Sequence, residues 1–133
     1  ATFETKYRLL PSPYEVRLYD LPSLFAGKIH AVLCRAWKNR IKGRDLYDYV
    51  FYLAKGAAVN LAHLKARLVD SGFIGEEYPL DRDSLIGLLN ERFADIDYEQ
   101  AKQDVLPFIK DKSKLNLWSA AFFTDITKNL QVK

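Results

Sequence analysis

LPSLFAGKIHAVLCRAWKNRIKGRDLYDYVFYL, residues 21–53, holds the change of period that decides the fold. Leu24, Phe25, Ile29 and Val32 recur at helical spacing behind Pro22, a residue suited to a first helical turn, so a helix is expected from Leu21 to near Trp37. The basic connection KNRIKG follows, and Arg44 to Lys55 reads as a second helix stopped by Gly56. That second helix is apolar or aromatic over most of its circumference, which predicts that it is the central, most buried helix of the domain.

Upstream the period is two. Phe3, Thr5, Tyr7 and Leu9 alternate with Glu4, Lys6 and Arg8, and the alternation resumes after Pro11-Ser12-Pro13 in Tyr14 to Asp20, so residues 1–20 are expected to form a loose β-hairpin. Two strands are not a stable sheet, and this pair needs further partners. Downstream, Asn60 can cap a helix to about Val69, Asp81 or Asp83 one to about Ala94, and Asp97 with Gln100 a fifth that Pro107 ends or kinks. The stripe Leu115, Trp118, Phe122, Ile126 and Leu130 predicts a last helix from Ser113 to about Leu130. The fold class is therefore mainly α (α+β): one multi-helix domain over 1–133, with strands in 1–20 and helices in 21–133. No internal repeat or low-complexity segment divides it.

Composition narrows the class. A hydrophobic share of 49% in 133 residues supplies a real core, and a net charge of +3 permits an anionic partner without demanding one. One cysteine, Cys34, excludes a disulfide framework, and His30 and His63 add no zinc-like spacing, so no metal ligand set is expected within the chain and a cytoplasmic setting fits. No apolar run approaches the ~18 residues of a membrane span. A start without Met, directly inside an alternating pattern, is expected of a piece of a longer protein.

The chemistry concentrates in the opening stretch. At about 100° per residue, Lys28 falls in the middle of the first helix's apolar stripe, and Arg35 lies within about 20° of the same line. An ammonium there must snorkel, pair with an acid, or face a cleft that takes an anion. Asp45 and Asp48 are the candidate partners; either they answer the helix dipole and tie down a structural network, or they line a cleft beside Tyr49 and Tyr52. Two aspartates three residues apart are a weak signal for Mg²⁺. Arg35, Lys38, Arg40, Lys42 and Arg44 make five of ten consecutive residues basic, with Trp37 among them, which suits an RNA backbone and an unstacked base or else a solvated loop. His30 faces away from Lys28, Cys34 lies among small residues, and both are read as packing.

LPSLFAGKIHAVLCRAWKNRIKGRDLYDYVFYL resembles the AbiEii/AbiGii-type nucleotidyltransferase toxins, in which a helix of the form LxxxFAxKxxA, a basic R-x-x-x-R connection and an RDxxD helix follow the catalytic core. The resemblance is specific over about Tyr14 to Leu53 and looser beyond. It implies the C-terminal half of a polymerase-beta-like nucleotidyltransferase, a toxin of a bacterial toxin–antitoxin (abortive infection) system. Such enzymes transfer nucleotides from an NTP to RNA, in some members the 3′ end of tRNA, using Mg²⁺ held by a glycine-serine signature and an Asp-x-Asp or Asp-x-Glu pair. Nothing in these 133 residues matches that signature. The family's lysine motif falls on Lys28 and its later aspartate motif on Asp45, with Asp48 the second choice. The implied roles are catalytic for Lys28, Asp45 and Asp48, and nucleotide or RNA binding for Arg35, Lys38, Arg40, Lys42 and Arg44. NTP, RNA and a cognate antitoxin are the implied partners of the intact protein, with no membrane. A non-catalytic RNA-binding or antitoxin-binding helical module is the alternative.

Without the metal carboxylates, the main charge stabilisation of the transition state is missing, so the 133-residue chain alone is expected to bind no Mg²⁺ and transfer no nucleotide. Labelling of tRNA from radioactive NTP measures this. Robust Mg²⁺-dependent transfer by the purified chain would overturn the division of labour between the two halves.

Overall fold

The computed structural model describes residues 20–38 and 42–133. The expected hairpin over 1–20, all but Asp20, and the side chains of Arg35, Trp37, Lys38 and Arg40 lie outside the described residues. Within them the chain is mainly helical: α1 (Leu21–Lys38), α2 (Gly43–Ala54), β1 (Ala58–Val59), α3 (Leu61–Asp70), α4 (Arg82–Ala94), α5 (Tyr98–Val105), α6 (Ala120–Thr127) and β2 (Gln131–Val132). Two short 3-10 segments, Leu106–Phe108 and Lys112–Leu117, link α5 to α6.

The helix starts follow local capping chemistry. Asn60 accepts from the His63 amide at 3.0 Å and Asp97 from the Gln100 amide at 3.1 Å. Asp81 accepts from the Ser84 amide at 2.8 Å while its own amide donates to Ser84 Oγ at 2.9 Å, a reciprocal box that satisfies two orphan donors. Hydrogen bonds from Ser84 hold the exposed Asp81 carboxyl below its usual range. Pro107 is the second residue of the 3-10 segment that begins at Leu106, and α5 stops at Val105.

Two expectations are corrected. The helix expected from Ser113 to Leu130 is broken in two: Trp118 is extended, and Ser119 caps α6 by accepting from the Phe122 amide at 3.1 Å. Leu115, Trp118 and Leu130 of the expected stripe are buried, but the break turns α6 so that Phe123 and Thr127 are buried in place of Phe122 and Ile126, which are only half-buried. The cap inside the stripe is the stronger local signal. Nor is the 44–55 helix the most buried one. Phe25, Ala26, Ile29, Val32 and Leu33 of α1 are all fully buried, whereas Tyr47 and Phe51 of α2 are 42% and 49% exposed. α2 packs on α1 and on α5, which cover one side of it. Aromatic residues all round a helix do not determine how many neighbours it has.

The core is an aromatic cluster where Phe25, Tyr49, Phe93 and Phe123 meet, with ring centroids 5.1 Å apart for Phe93 and Phe123 and 5.9 Å for Phe25 and Tyr49. The Tyr49 hydroxyl meets Thr127 Oγ1 at 2.8 Å, and Thr127 donates in turn to the Phe123 carbonyl at 2.6 Å, so Tyr49 is the donor. Burial raises the Tyr49 phenol well above its usual pKa, which keeps that donor neutral. Residues 130–133 close the domain. β2 pairs in parallel with β1, Ala58 opposite Gln131, and Arg82 donates to the carbonyls of Leu130 and Lys128 at 2.8 and 2.7 Å.

The start of α2 sets the position of everything on that helix. The Gly43 amide donates to Asp104 Oδ2 of α5 at 2.9 Å, and a Cβ on Gly43 would overlap the Ala101 carbonyl oxygen, with the carbonyl carbon only 2.8 Å away. Backbone cannot swing aside as a side chain can. Gly43→Ala is expected to cost about 3 kcal/mol by overpacking. Gly87→Ala, on the exposed face of α4 with nothing within 4 Å, should instead raise stability by about 0.5–1 kcal/mol. Urea unfolding of both variants checks the pair, and an unperturbed Gly43→Ala midpoint would mean a looser α2–α5 contact than described.

Candidate active site

α1 presents two faces. The buried one runs through Phe25, Ile29, Val32 and Leu33, and the outer one is a stripe of small residues, Ser23, Gly27, Ala31 and Cys34, at helical spacing. Small side chains cannot fill the space between α1 and its neighbours. A groove of about 570 Å³ remains, floored by this stripe and walled by Asp45 of α2 and by His63 and Arg67 of α3. Gly27 keeps the floor low: a Cβ there would come within 3.5 Å of Arg67 Nη1.

Lys28 stands on the α2 side of this groove. It lies at the margin of the buried face rather than in its middle as expected, because that face is centred on Phe25, Ala26, Ile29 and Leu33 and Leu24 is only half-buried. Its Nζ is 2.9 Å from Asp48 Oδ2, and both side chains are 38% exposed. Of the two acids considered as partners, Asp48 makes the ion pair, while Asp45, 6% exposed in the first turn of α2, lines the groove itself. The three-residue spacing puts both carboxylates on the side of α2 that meets α1. A lysine ammonium has three donors. Asp48 occupies one of them from the rim, which holds Lys28 in place while leaving donors for a ligand.

The opposite wall is built by α3. His30 Nε2 lies 3.1 Å and Cys34 Sγ 3.5 Å from Ser71 Oγ, and Ser71 directs its own hydrogen to the Arg67 carbonyl at 2.9 Å. Ser71 therefore accepts from His30. Both residues were expected to be plain packing; they join α1 to α3, but as half-buried walls of the groove rather than in the core. His63 and Arg67, four apart on α3, were not singled out in the sequence. Their only signal there is two basic side chains one turn apart, which any solvated helix face offers.

Of the basic residues expected to contact RNA, Lys42 and Arg44 are described. Both are exposed; Lys42 precedes α2, and the Arg44 guanidinium lies 5.6 Å over the Phe108 ring. Lys42 and Arg44 thus sit at the N-terminal end of α2, away from the small-residue floor.

The model of the family described as nucleotidyl transferase AbiEii toxin, type IV TA system, matches residues 2–124. The chain belongs to this family. No curated protein and no solved structure matches it. A cognate antitoxin is the partner that membership in a type IV toxin–antitoxin family implies. No described helix of this AbiEii chain is long and apolar enough to cross a membrane.

The Mg²⁺ expected for the intact enzyme does not fit the residues described. Among them no three His, Cys, Asp or Glu side chains are grouped to hold an ion, and of the two aspartates on α2 one is engaged by Lys28. No step is assigned to a metal here.

The half-exposed setting decides what the Lys28–Asp48 pair does for the fold. A buried pair would strand a charge on losing one partner, at about 3–5 kcal/mol, but solvent screens a pair this open to about 1 kcal/mol or less. Lys28→Met and Asp48→Asn in this AbiEii protein are each expected to shift stability by less than about 1 kcal/mol. Thermal or denaturant unfolding measures it; a larger loss would place the pair in the structural framework.

Proposed function

We propose that the α1–α2–α3 groove takes the triphosphate end of an NTP in the intact toxin, and that the reaction is transfer of a nucleotide to an RNA acceptor, tRNA being the acceptor of choice, in the bacterial cytoplasm. The carboxylates for Mg²⁺ then come from residues of the intact protein other than these. The observation that carries this reading is the Lys28 ammonium, held 2.9 Å from Asp48 at the rim of a groove that Asp45 and Arg67 also line, in a chain of a nucleotidyltransferase family.

The chemistry follows from charge. When the acceptor oxygen bonds to the α-phosphorus, the bond to pyrophosphate breaks and negative charge builds on the leaving group. Lys28 and Arg67 offer cations from opposite walls to neutralise it, and Asp48 fixes the direction in which Lys28 points. Asp45, on the groove wall, is placed to orient the nucleotide or accept a hydrogen bond from the acceptor hydroxyl. Arg67 and His63 join Lys28 as nucleotide-binding residues in this reading, while Lys42 and Arg44 belong to the RNA side.

Lys28→Met in the intact protein keeps the stem that packs on α1 and removes the charge. Loss of one charge-stabilising group is expected to lower nucleotide transfer about a hundredfold or more. The assay is transfer from labelled NTP to tRNA, run beside an unfolding curve that should hardly move. A folded, fully active Lys28→Met enzyme would sink the assignment, and retention of antitoxin binding with no transfer by the wild type would favour a non-catalytic interaction module.

A further inference from the structure

The outward face of α2 carries side chains that a core would ordinarily take. Tyr47 is 42% and Phe51 49% exposed, and one turn of about 6 Å separates them along the same stripe. At the N-terminal end of the helix the line continues onto Phe108, which is 72% exposed and lies under the Arg44 guanidinium, 5.6 Å from it. At the other end the Lys55 ammonium stands 5.0 Å over the Phe51 ring. Three exposed aromatic rings and two cations therefore share one strip, and exposed Lys42 flanks its start.

Single apolar residues scattered on a surface need no explanation; a line of rings shared with cations does. A purely apolar partner would have to desolvate Arg44 and Lys55 without answering their charge. Single-stranded nucleic acid answers both demands, since bases stack on ring faces while phosphates meet the cations. Two acids lie beside the strip among the described residues, Asp48, matched by Lys28 at 2.9 Å, and Asp104, which accepts from the Gly43 amide at 2.9 Å. The Lys28–Asp48 pair stands beside the middle of the strip, on the side of α2 that faces α1 and the groove.

We propose that Tyr47, Phe51 and Phe108, with Arg44 and Lys55, form a stacking surface for the single-stranded end of the nucleic-acid acceptor. This deepens the reading of the toxin as an RNA nucleotidyltransferase and rests on it for the identity of the strand. The surface binds by ring faces and phosphate charge, so it distinguishes single from double strands and tolerates many sequences.

The test uses the intact protein without NTP and a fluorescently labelled single-stranded RNA oligonucleotide, with binding read by anisotropy. Phe51→Leu and Phe108→Leu keep apolar bulk and lose the ring. Each is expected to weaken binding by about five- to a hundredfold, the worth of one base–aromatic stack, with an unchanged unfolding midpoint because both positions are exposed. The same oligonucleotide annealed to its complement should bind more weakly and be indifferent to both substitutions. Leucine variants that bind the single strand as wild type does would overturn the proposal, and loss of binding to the purified antitoxin in those variants would hand the strip to a protein partner. The result is independent of chemistry. Binding is read without NTP and without turnover, so an active-site assignment that fails in the transfer assay leaves this measurement standing, and the reverse holds too.

Discussion

At the head of α2 the backbone of one helix touches the backbone of another, and the amide of Gly43 finds a carboxylate, Asp104, on that neighbour. Every functional reading of α2 descends from this contact. It fixes the rotation of the helix about its axis, which sends Asp45 and Asp48 towards α1, Leu46 and Tyr49 into the core, and Tyr47 and Phe51 outward. A rotation of about 100° would exchange these roles, because successive positions lie that far apart around the helix. The Asp104 carboxylate also answers an amide at the positive end of the helix dipole, where an anion is favoured. Tyr49 supplies the second fix, its hydroxyl tied to Thr127 two turns down the helix from Gly43.

The groove and the strip of rings are two products of the same shortage of covering structure. Along the outer face of α1 the residues are too small to fill the gap to α3, and along the outer face of α2 no further described helix covers the rings, which meet the cations of Arg44 and Lys55. In the first case the space is polar, with His30, His63 and Arg67 on one wall and Asp45 on the other. In the second it is aromatic and cationic. Lys28 and Asp48 lie between them, which gives this ion pair a position common to the proposed nucleotide pocket and the proposed strand-binding surface.

What could be read from the sequence was whatever depends on near neighbours along the chain. Asn60, Asp81 and Asp97 announce their helices because a cap is completed within three residues, and all three do cap. Lys28 stood out because a charge near an apolar stripe is anomalous wherever the stripe faces. The misreadings share a different cause. The degree of burial of α2 depends on how many other helices reach it, and no pattern within twelve residues encodes that number. Ser119 is hidden in the sequence because apolar residues continue on both sides of it at a spacing that suits one helix, whereas the structure shifts the buried positions of α6 to Phe123 and Thr127. Arg67 and His63 become notable only beside Gly27, forty and thirty-six positions away in sequence, where they turn an unremarkable basic face into a groove wall.

The short parallel pairing of β1 with β2 bears on when the groove can exist. Lys133 donates to the Val59 carbonyl at 2.8 Å and accepts from the Leu61 amide at 3.3 Å, so residues 131–133 clamp the very segment that leads into α3. On the other side of that segment, Asn60 donates to the Pro22 carbonyl at the root of α1. Contacts between such distant parts of a chain form late, after the entropy of closing a long loop has been overcome. During synthesis, α1 and α2 leave the ribosome well before residues 131–133, and both groove walls are then present without the clamp that holds α3 to α1. The walls of the groove are thereby made well before the contact that holds them together, so the groove is complete only once residues 131–133 have been synthesised.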